Sequence, residues 1–114
     1  MRTQSISLLT DLYELTMMQG YYKSGNNANV VFDLFYRTNP SNGGYAICVG
    51  LEQIISYIRD LHFSPDNIEY LRSLGIFDDD FLEYLRGFHF TGDIYAVPEG
   101  TVVFPREPLL KVVA

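Results

Sequence analysis

The chain has 114 residues, of which 47% are hydrophobic, with 8 Phe and 9 Tyr, enough apolar surface to offset its ordering entropy and exclude a disordered segment. A formal net charge of −6 excludes generic attraction to nucleic acid or to an anionic membrane, since both need a basic surface. A single cysteine, Cys48, excludes an internal disulfide and points to a reducing, cytoplasmic home; no signal-peptide pattern opens the chain, and no apolar run nears the ~18 residues of a membrane span.

The first predicted element is a helix over about 10–22. Asp11 is placed as its N-cap, with Glu14 three residues on, at the position that reaches back in a capping box. Leu8, Leu12, Leu15, Gln19 and Tyr22 form one stripe at helical spacing, and Tyr13, Met17, Gly20 and Tyr21 a second. A helix that apolar all round is expected to be covered by protein on most sides. Tyr13 lies in the first turn, where two readings stand: a core or interface tyrosine, or an aromatic face for a flat ligand.

Ser24-Gly25-Asn26-Asn27 then turns the chain into a predicted strand over about 30–37. Phe32, Leu34 and Tyr36 alternate with Val31, Asp33, Phe35 and Arg37, a pattern that predicts cover on both faces. The loop from Thr38 to Gly44 is turn-rich, and a second strand follows over about 44–49. Leu51, Ile54, Ile55, Ile58 and Leu61 recur at helical positions, which predicts a helix over about 51–61.

Ser64 and Pro65 open a helix over about 65–74, with Ile68, Leu71 and Leu74 as its stripe and Gly75 as a left-handed exit. Asp78-Asp79-Asp80 lead into a helix over about 79–88 bearing Phe81, Leu82, Leu85 and Phe88. Three acids invite a metal, but carboxylates at a helix N-terminus are stabilised by the macrodipole and cap free N–H groups, and no His or further acid joins them at ligand spacing. Capping is the expectation, and no metal site is assigned. His62 and His89 are isolated, with no Cys, Ser or acid placed to make a catalytic pair.

From Gly92 strands take over, at about 93–97, 101–104 and 109–113, with turns at Pro98-Glu99-Gly100 and at Pro105-Arg106-Glu107-Pro108. A strand ending at Ala114 leaves an edge that a complete domain would cover, so the chain is expected to be a first section of a longer protein, uncovered and prone to self-association when isolated. Arg37, at a strand end beside Gly43-Gly44, has two readings: a bidentate fork for a carboxylate or phosphate, or an ion pair with Asp33 or Asp11. For Asp11, helix capping is sufficient. Asn42-Gly43-Gly44 lacks the Lys-Ser/Thr partner of a P-loop and precedes a strand.

Four blocks in order carry a family resemblance. Leu9-Thr10-Asp11-Leu12-Tyr13, Phe35-Tyr36-Arg37-Thr38-Asn39-Pro40 with Gly43-Gly44-Tyr45-Ala46, Gly50-Leu51, and Pro98-Glu99-Gly100 with Phe104-Pro105 and Pro108-Leu109-Leu110 together resemble the N-terminal part of nicotinate phosphoribosyltransferase. The resemblance implies an α+β fold: an N-terminal α/β segment of a type II phosphoribosyltransferase over 1–114, its helices packed on small, mainly antiparallel β-layers, with the barrel domain outside these residues.

It also implies an enzyme of NAD biosynthesis that joins nicotinate to 5-phosphoribosyl 1-diphosphate, releasing diphosphate, with ATP and Mg2+ as cofactors of the full-length enzyme. None of these cofactors is expected on this segment alone. The family's site lies at a homodimer interface, where the tyrosine of this block stacks on the pyridine ring, reaching in from the neighbouring subunit in related enzymes; that residue is Tyr13, the one carried over from the family. Asp11 and Arg37 are supporting candidates by their own chemistry. The phosphorylated histidine and the phosphate-binding residues are expected beyond Ala114, since neither His62 nor His89 falls in a matching block, so the segment alone should not turn over. Two other readings remain: a non-catalytic binding or assembly domain, and the related phosphoribosyltransferase that uses nicotinamide.

Overall fold

A computed structural model describes residues 5–114. They form two compact units, each assembled from two separate stretches of chain: 5–28 with 59–90, and 29–58 with 91–114.

The first unit is helical, with α1 Leu12–Ser24, α3 Pro65–Ser73 and α4 Asp79–Arg86; α2, Leu51–Arg59, falls almost wholly in the second. Helix α1 ends where Gly25 turns left-handed at φ 68° and its N–H reaches back to the Tyr21 and Tyr22 carbonyls. Its start departs from expectation. Asp11 is the N-cap by backbone, but its side chain makes no cap hydrogen bond, and Glu14 accepts from the Thr10 hydroxyl instead of reaching back to the Asp11 N–H. A neighbouring O–H donor has taken the carboxylate that a capping box would use.

Helix α3 is capped reciprocally: Ser64 Oγ accepts from the Asn67 N–H at 3.1 Å, and Asn67 Oδ1 accepts from the Ser64 N–H at 3.1 Å, with Pro65 in the first turn. It ends at Ser73, which leaves Leu74 outside the helix and 37% exposed rather than on the buried stripe. The core of this unit is Ile68, Leu71, Phe81, Leu82 and Leu85, each at most 1% exposed, closed by Leu15, Phe63 and Phe77.

Helix α1 contributes only Leu15 to that core. Leu12, Tyr13, Met17 and Tyr21 stay 49–59% exposed, so the cover expected around α1 is not supplied by the described residues.

The second unit holds β1 Val31–Leu34, β2 Ala46–Ile47, β3 Asp93–Ala96, β4 Val102–Val103 and β5 Leu110–Val113. One antiparallel sheet runs β1-β5-β3, with Phe32 opposite Val112 and Ile94 opposite Val112 on its other side; β2 and β4 form a separate antiparallel pair. Strand β1 is half the predicted length. Its ladder stops at Leu34 because Pro108 precedes the partner strand, and beyond that point the Arg106 N–H donates to the Tyr36 carbonyl at 2.8 Å. All four β1 residues are exposed, Phe32 at 68%, against the expectation of cover on both faces.

Helix α2 has a cap that the pattern of the chain did not announce. The Glu99 carboxylate accepts from the N–H groups of Gly50 at 2.8 Å and Leu51 at 3.0 Å, two free donors at the helix start, where its charge also meets the positive end of the helix dipole. Glu99→Ala should cost about 1 kcal/mol, read as a lower urea midpoint at unchanged slope; an unchanged midpoint would show that water replaces the carboxylate without loss.

Candidate functional site

The chain entering α1 is pinned before the helix begins. Ser5 Oγ donates to the His62 carbonyl at 2.8 Å, the nearly buried Ser7 hydroxyl donates to the same oxygen, and the Leu9 N–H closes a turn on the Ile6 carbonyl at 2.9 Å. Tyr13 follows in the first helical turn and is 59% exposed, so it is not a core tyrosine of this unit. Among the described residues its ring has no aromatic partner, whereas Tyr22, on the same helix, stacks on Tyr84 with centroids 4.7 Å apart. An exposed ring on a helix with a fixed entry is a surface a flat, electron-poor molecule can stack against.

The far half of α1 is tied to the start of α4 by polar contacts. Gln19 Nε2 donates to the Ile76 carbonyl at 3.1 Å, and Gln19 Oε1 accepts from the Asp78 N–H at 2.8 Å. Lys23 Nζ lies 3.0 Å from Asp78 Oδ2 and 2.6 Å from Asp80 Oδ1. The three acids stand at the helix start as expected, Asp78 at the N-cap and Asp79 and Asp80 in the first turn. Asp78 departs from expectation in making no side-chain cap bond: Lys23 pairs with Asp78 and Asp80, and Arg72 with Asp79. Hydrogen bonds to Asp80 and then Asp78 hold Lys23 above the ordinary lysine range, against desolvation, and the Lys23 hydrogen bond holds Asp80 below the ordinary carboxylate range, also against desolvation. The Asp80 contribution is complete above the ordinary carboxylate pKa and is lost as pH falls through its lowered value. The Lys23 contribution is complete below the ordinary lysine pKa and is lost as pH rises through its raised value. The contact is therefore charged from roughly pH 4 to pH 10.

Arg37 belongs to the other unit, in the loop after β1. It is exposed, and among the described residues of its own unit it forms no ion pair, so the pairing with Asp33 is not made. Its neighbour Tyr36 fixes the loop: the phenol oxygen lies 2.9 Å from the Val103 carbonyl and 2.9 Å from Asn39 Oδ1. One proton serves one acceptor, and an Asn39 amide turned over would donate to the phenol while the phenol donates to Val103. Burial and then the Glu107 charge push the Tyr36 phenol up, against a hydrogen bond with the Ala46 backbone, so it stays protonated. Tyr36 was read in the sequence as one more strand residue; that its neighbours open a Thr38-Asn39-Pro40 turn was the signal that its hydroxyl has loop groups to hold.

His62 and His89 set Nδ1 against a backbone carbonyl two residues earlier, at 2.6 Å from Asp60 and 3.2 Å from Gly87. Among the described residues no three His, Cys, Asp or Glu side chains converge to hold a metal ion, and no helix is long and apolar enough to cross a membrane.

The family profile of the nicotinate phosphoribosyltransferase (NAPRTase) N-terminal domain matches residues 8–114. The chain is 42% identical over 108 residues to a nicotinate phosphoribosyltransferase of Mycobacterium tuberculosis, covering 95% of this chain and 23% of that protein. It is 40% identical over 114 residues to the Bacillus subtilis nicotinate phosphoribosyltransferase, covering 99% and 23%. A crystal structure of human nicotinic acid phosphoribosyltransferase superimposes with a TM-score of 0.81 at 33% identity, over 92% of this chain and 22% of the human one. The chain thus spans about a fifth of the length of the relatives it matches.

Proposed function

This chain belongs to the nicotinate phosphoribosyltransferase family, as its N-terminal domain, and from that premise we propose that it forms part of an enzyme that condenses nicotinate with 5-phosphoribosyl 1-diphosphate. In that reaction the pyridine nitrogen forms a bond to the anomeric carbon as the bond from that carbon to the diphosphate oxygen breaks, giving nicotinate mononucleotide and diphosphate. The observation that carries the reading is Tyr13, a 59% exposed ring at the start of a helix whose entry is fixed by Ser5 and Ser7.

Within this chain the chemistry is orientation. The Tyr13 ring stacks on the pyridine and holds its nitrogen toward the anomeric carbon; positioning of this kind supplies several kcal/mol of barrier reduction when the bound geometry is close to attack. Arg37, free of ion pairs among the described residues of its own unit and carried on the loop that Tyr36 holds, offers its guanidinium to a carboxylate or phosphate. Asp11 supports the site only by placing the backbone that starts α1.

Coupling to ATP hydrolysis with Mg2+, a homodimer in which Tyr13 serves the neighbouring subunit's site, and a cytoplasmic location complete the proposal. They rest on the family, and no step is assigned to this chain through ATP or Mg2+. The full-length protein, given 5-phosphoribosyl 1-diphosphate and ATP, is expected to release diphosphate with nicotinate and far less with nicotinamide. Preference for nicotinamide would move the assignment to the related enzyme, and turnover of neither would favour a binding or assembly domain.

A further inference from the structure

We infer that Gln19 and Lys23 are positioning residues for Tyr13: by tying α1 to the start of α4 they set the roll of the helix, and so the plane in which the Tyr13 ring is presented. This rests on the ring-stacking role proposed for Tyr13.

Apolar packing shares that task without completing it. Leu15 is the one buried residue of α1, Met18 is partly packed against the same core, and the Tyr22 ring lies over Tyr84 and Phe81 of α4 with centroids 4.7 and 5.9 Å apart. Apolar contact is largely non-directional and tolerates a small rotation of the helix. The polar contacts do not tolerate it. Gln19 is held at both ends of its amide, by the Ile76 carbonyl at 3.1 Å and the Asp78 N–H at 2.8 Å. Lys23, one turn further along the same face, is held by Asp78 at 3.0 Å and Asp80 at 2.6 Å. Two successive turns of α1 are thereby fastened to one short stretch of backbone and carboxylate at the head of α4.

The lever is short. A side-chain ring sits roughly 6 Å from the axis of its helix, so a 10° roll displaces it by about 1 Å. Misplacement on that scale costs on the order of 100-fold in rate where a reacting geometry depends on it. Gln19 and Lys23 lie about 9 Å and about 15 Å along the axis from Tyr13, so they act through the helix rather than on the bound ring. The Lys23, Asp78 and Asp80 side chains are 40%, 66% and 53% exposed, and ion pairs that exposed add little to folding stability. Orientation is the consequence they are left with.

The test is a double-mutant cycle in the full-length protein, with nicotinate and 5-phosphoribosyl 1-diphosphate as the varied substrates. Gln19→Met keeps the length and helix preference of the side chain and removes both hydrogen bonds; Lys23→Met removes the charge at an exposed position where folding is least at risk. Each is expected to lower kcat/KM for nicotinate roughly tenfold while KM for 5-phosphoribosyl 1-diphosphate stays within about twofold, and Lys23→Arg is expected to restore most of the loss. In a Tyr13→Ala background, Gln19→Met should then cost less than about twofold more, because the ring it positions is gone. Equal losses in both backgrounds, equal losses for both substrates, or unchanged constants with Tyr13→Ala still impaired would overturn the inference and leave the role of Tyr13 standing. Unchanged nicotinate kinetics in Tyr13→Ala alone would remove that role, and the inference with it.

Discussion

Replacing Tyr13 by Ala in the full-length protein is expected to lower kcat/KM for nicotinate roughly 30- to 160-fold while the protein melts as before. The magnitude follows from what the ring supplies. Covering an aromatic side chain against a ligand contributes about 1.5–3 kcal/mol through burial, and offset stacking adds about 0.5–1.5 kcal/mol. Discounted for the exposure of a surface site, about 2–3 kcal/mol remains, which gives the stated factor in rate. Tyr13→Phe keeps the ring face and should stay within about threefold of wild type, since stacking does not use the hydroxyl. Folding should be spared, because a 59% exposed side chain has few partners in the folded unit and surface substitutions of this kind stay within about 0.5 kcal/mol. Steady-state kinetics with nicotinate as the varied substrate, beside a thermal melt, reads both. Equal kinetic constants in variant and wild type would take Tyr13 out of the site.

Phe81→Ala should act first on stability, through a side chain remote from any ligand. Phe81 is fully buried, and its ring lies 5.8 Å from Phe77, 5.9 Å from Tyr22 and 6.3 Å from Tyr84, centroid to centroid. Truncating a buried Phe costs about 3–5 kcal/mol, from lost transfer energy and from the cavity left behind. That is a large share of the stability of a domain this size. The loss should appear as a fall in urea midpoint and as early exchange of the α1 amides, since Tyr22 rests on Phe81. A loss under about 1 kcal/mol would mean that the core collapses around the gap.

The sequence foretold the parts of this fold that rest on local rules. Ser64-Pro65 and Gly75 bracket α3, and Phe81, Leu82 and Leu85 fall on one buried face of α4, because caps and helical spacing act over a few residues. Contacts between distant segments were not legible. Phe63 and Phe77 lie in loops and still belong to the core, since loop residues carry no period to betray burial. Glu99 read as the middle of a turn, and only the meeting of that turn with Gly50 reveals it as the cap of α2. Strand β1 read as buried on both faces because its composition is apolar, but composition does not say which neighbour supplies the cover.

At the site the same division holds. Tyr13 was singled out by the block it stands in, and the structure adds that its ring is exposed. The acids ahead of α4 were read from their own helix alone. Their partner, Lys23, stands more than fifty residues earlier, and the same distance separates Gln19 from Asp78.

The interleaving of the two units sets the order in which this chain can fold as it is made. Helix α1 emerges early, but the α4 residues that secure it follow more than fifty residues later, after the chain has passed through half of the other unit. At about 5–20 residues per second, translation leaves α1 without its anchor for several seconds. A 13-residue helix is marginal on its own in water, so its tyrosines and leucines stay accessible to a chaperone throughout that interval. The second unit is under the same constraint, because β1 has to wait for β5 at the end of the described chain. Neither unit closes early, and both complete within about 30 residues of each other.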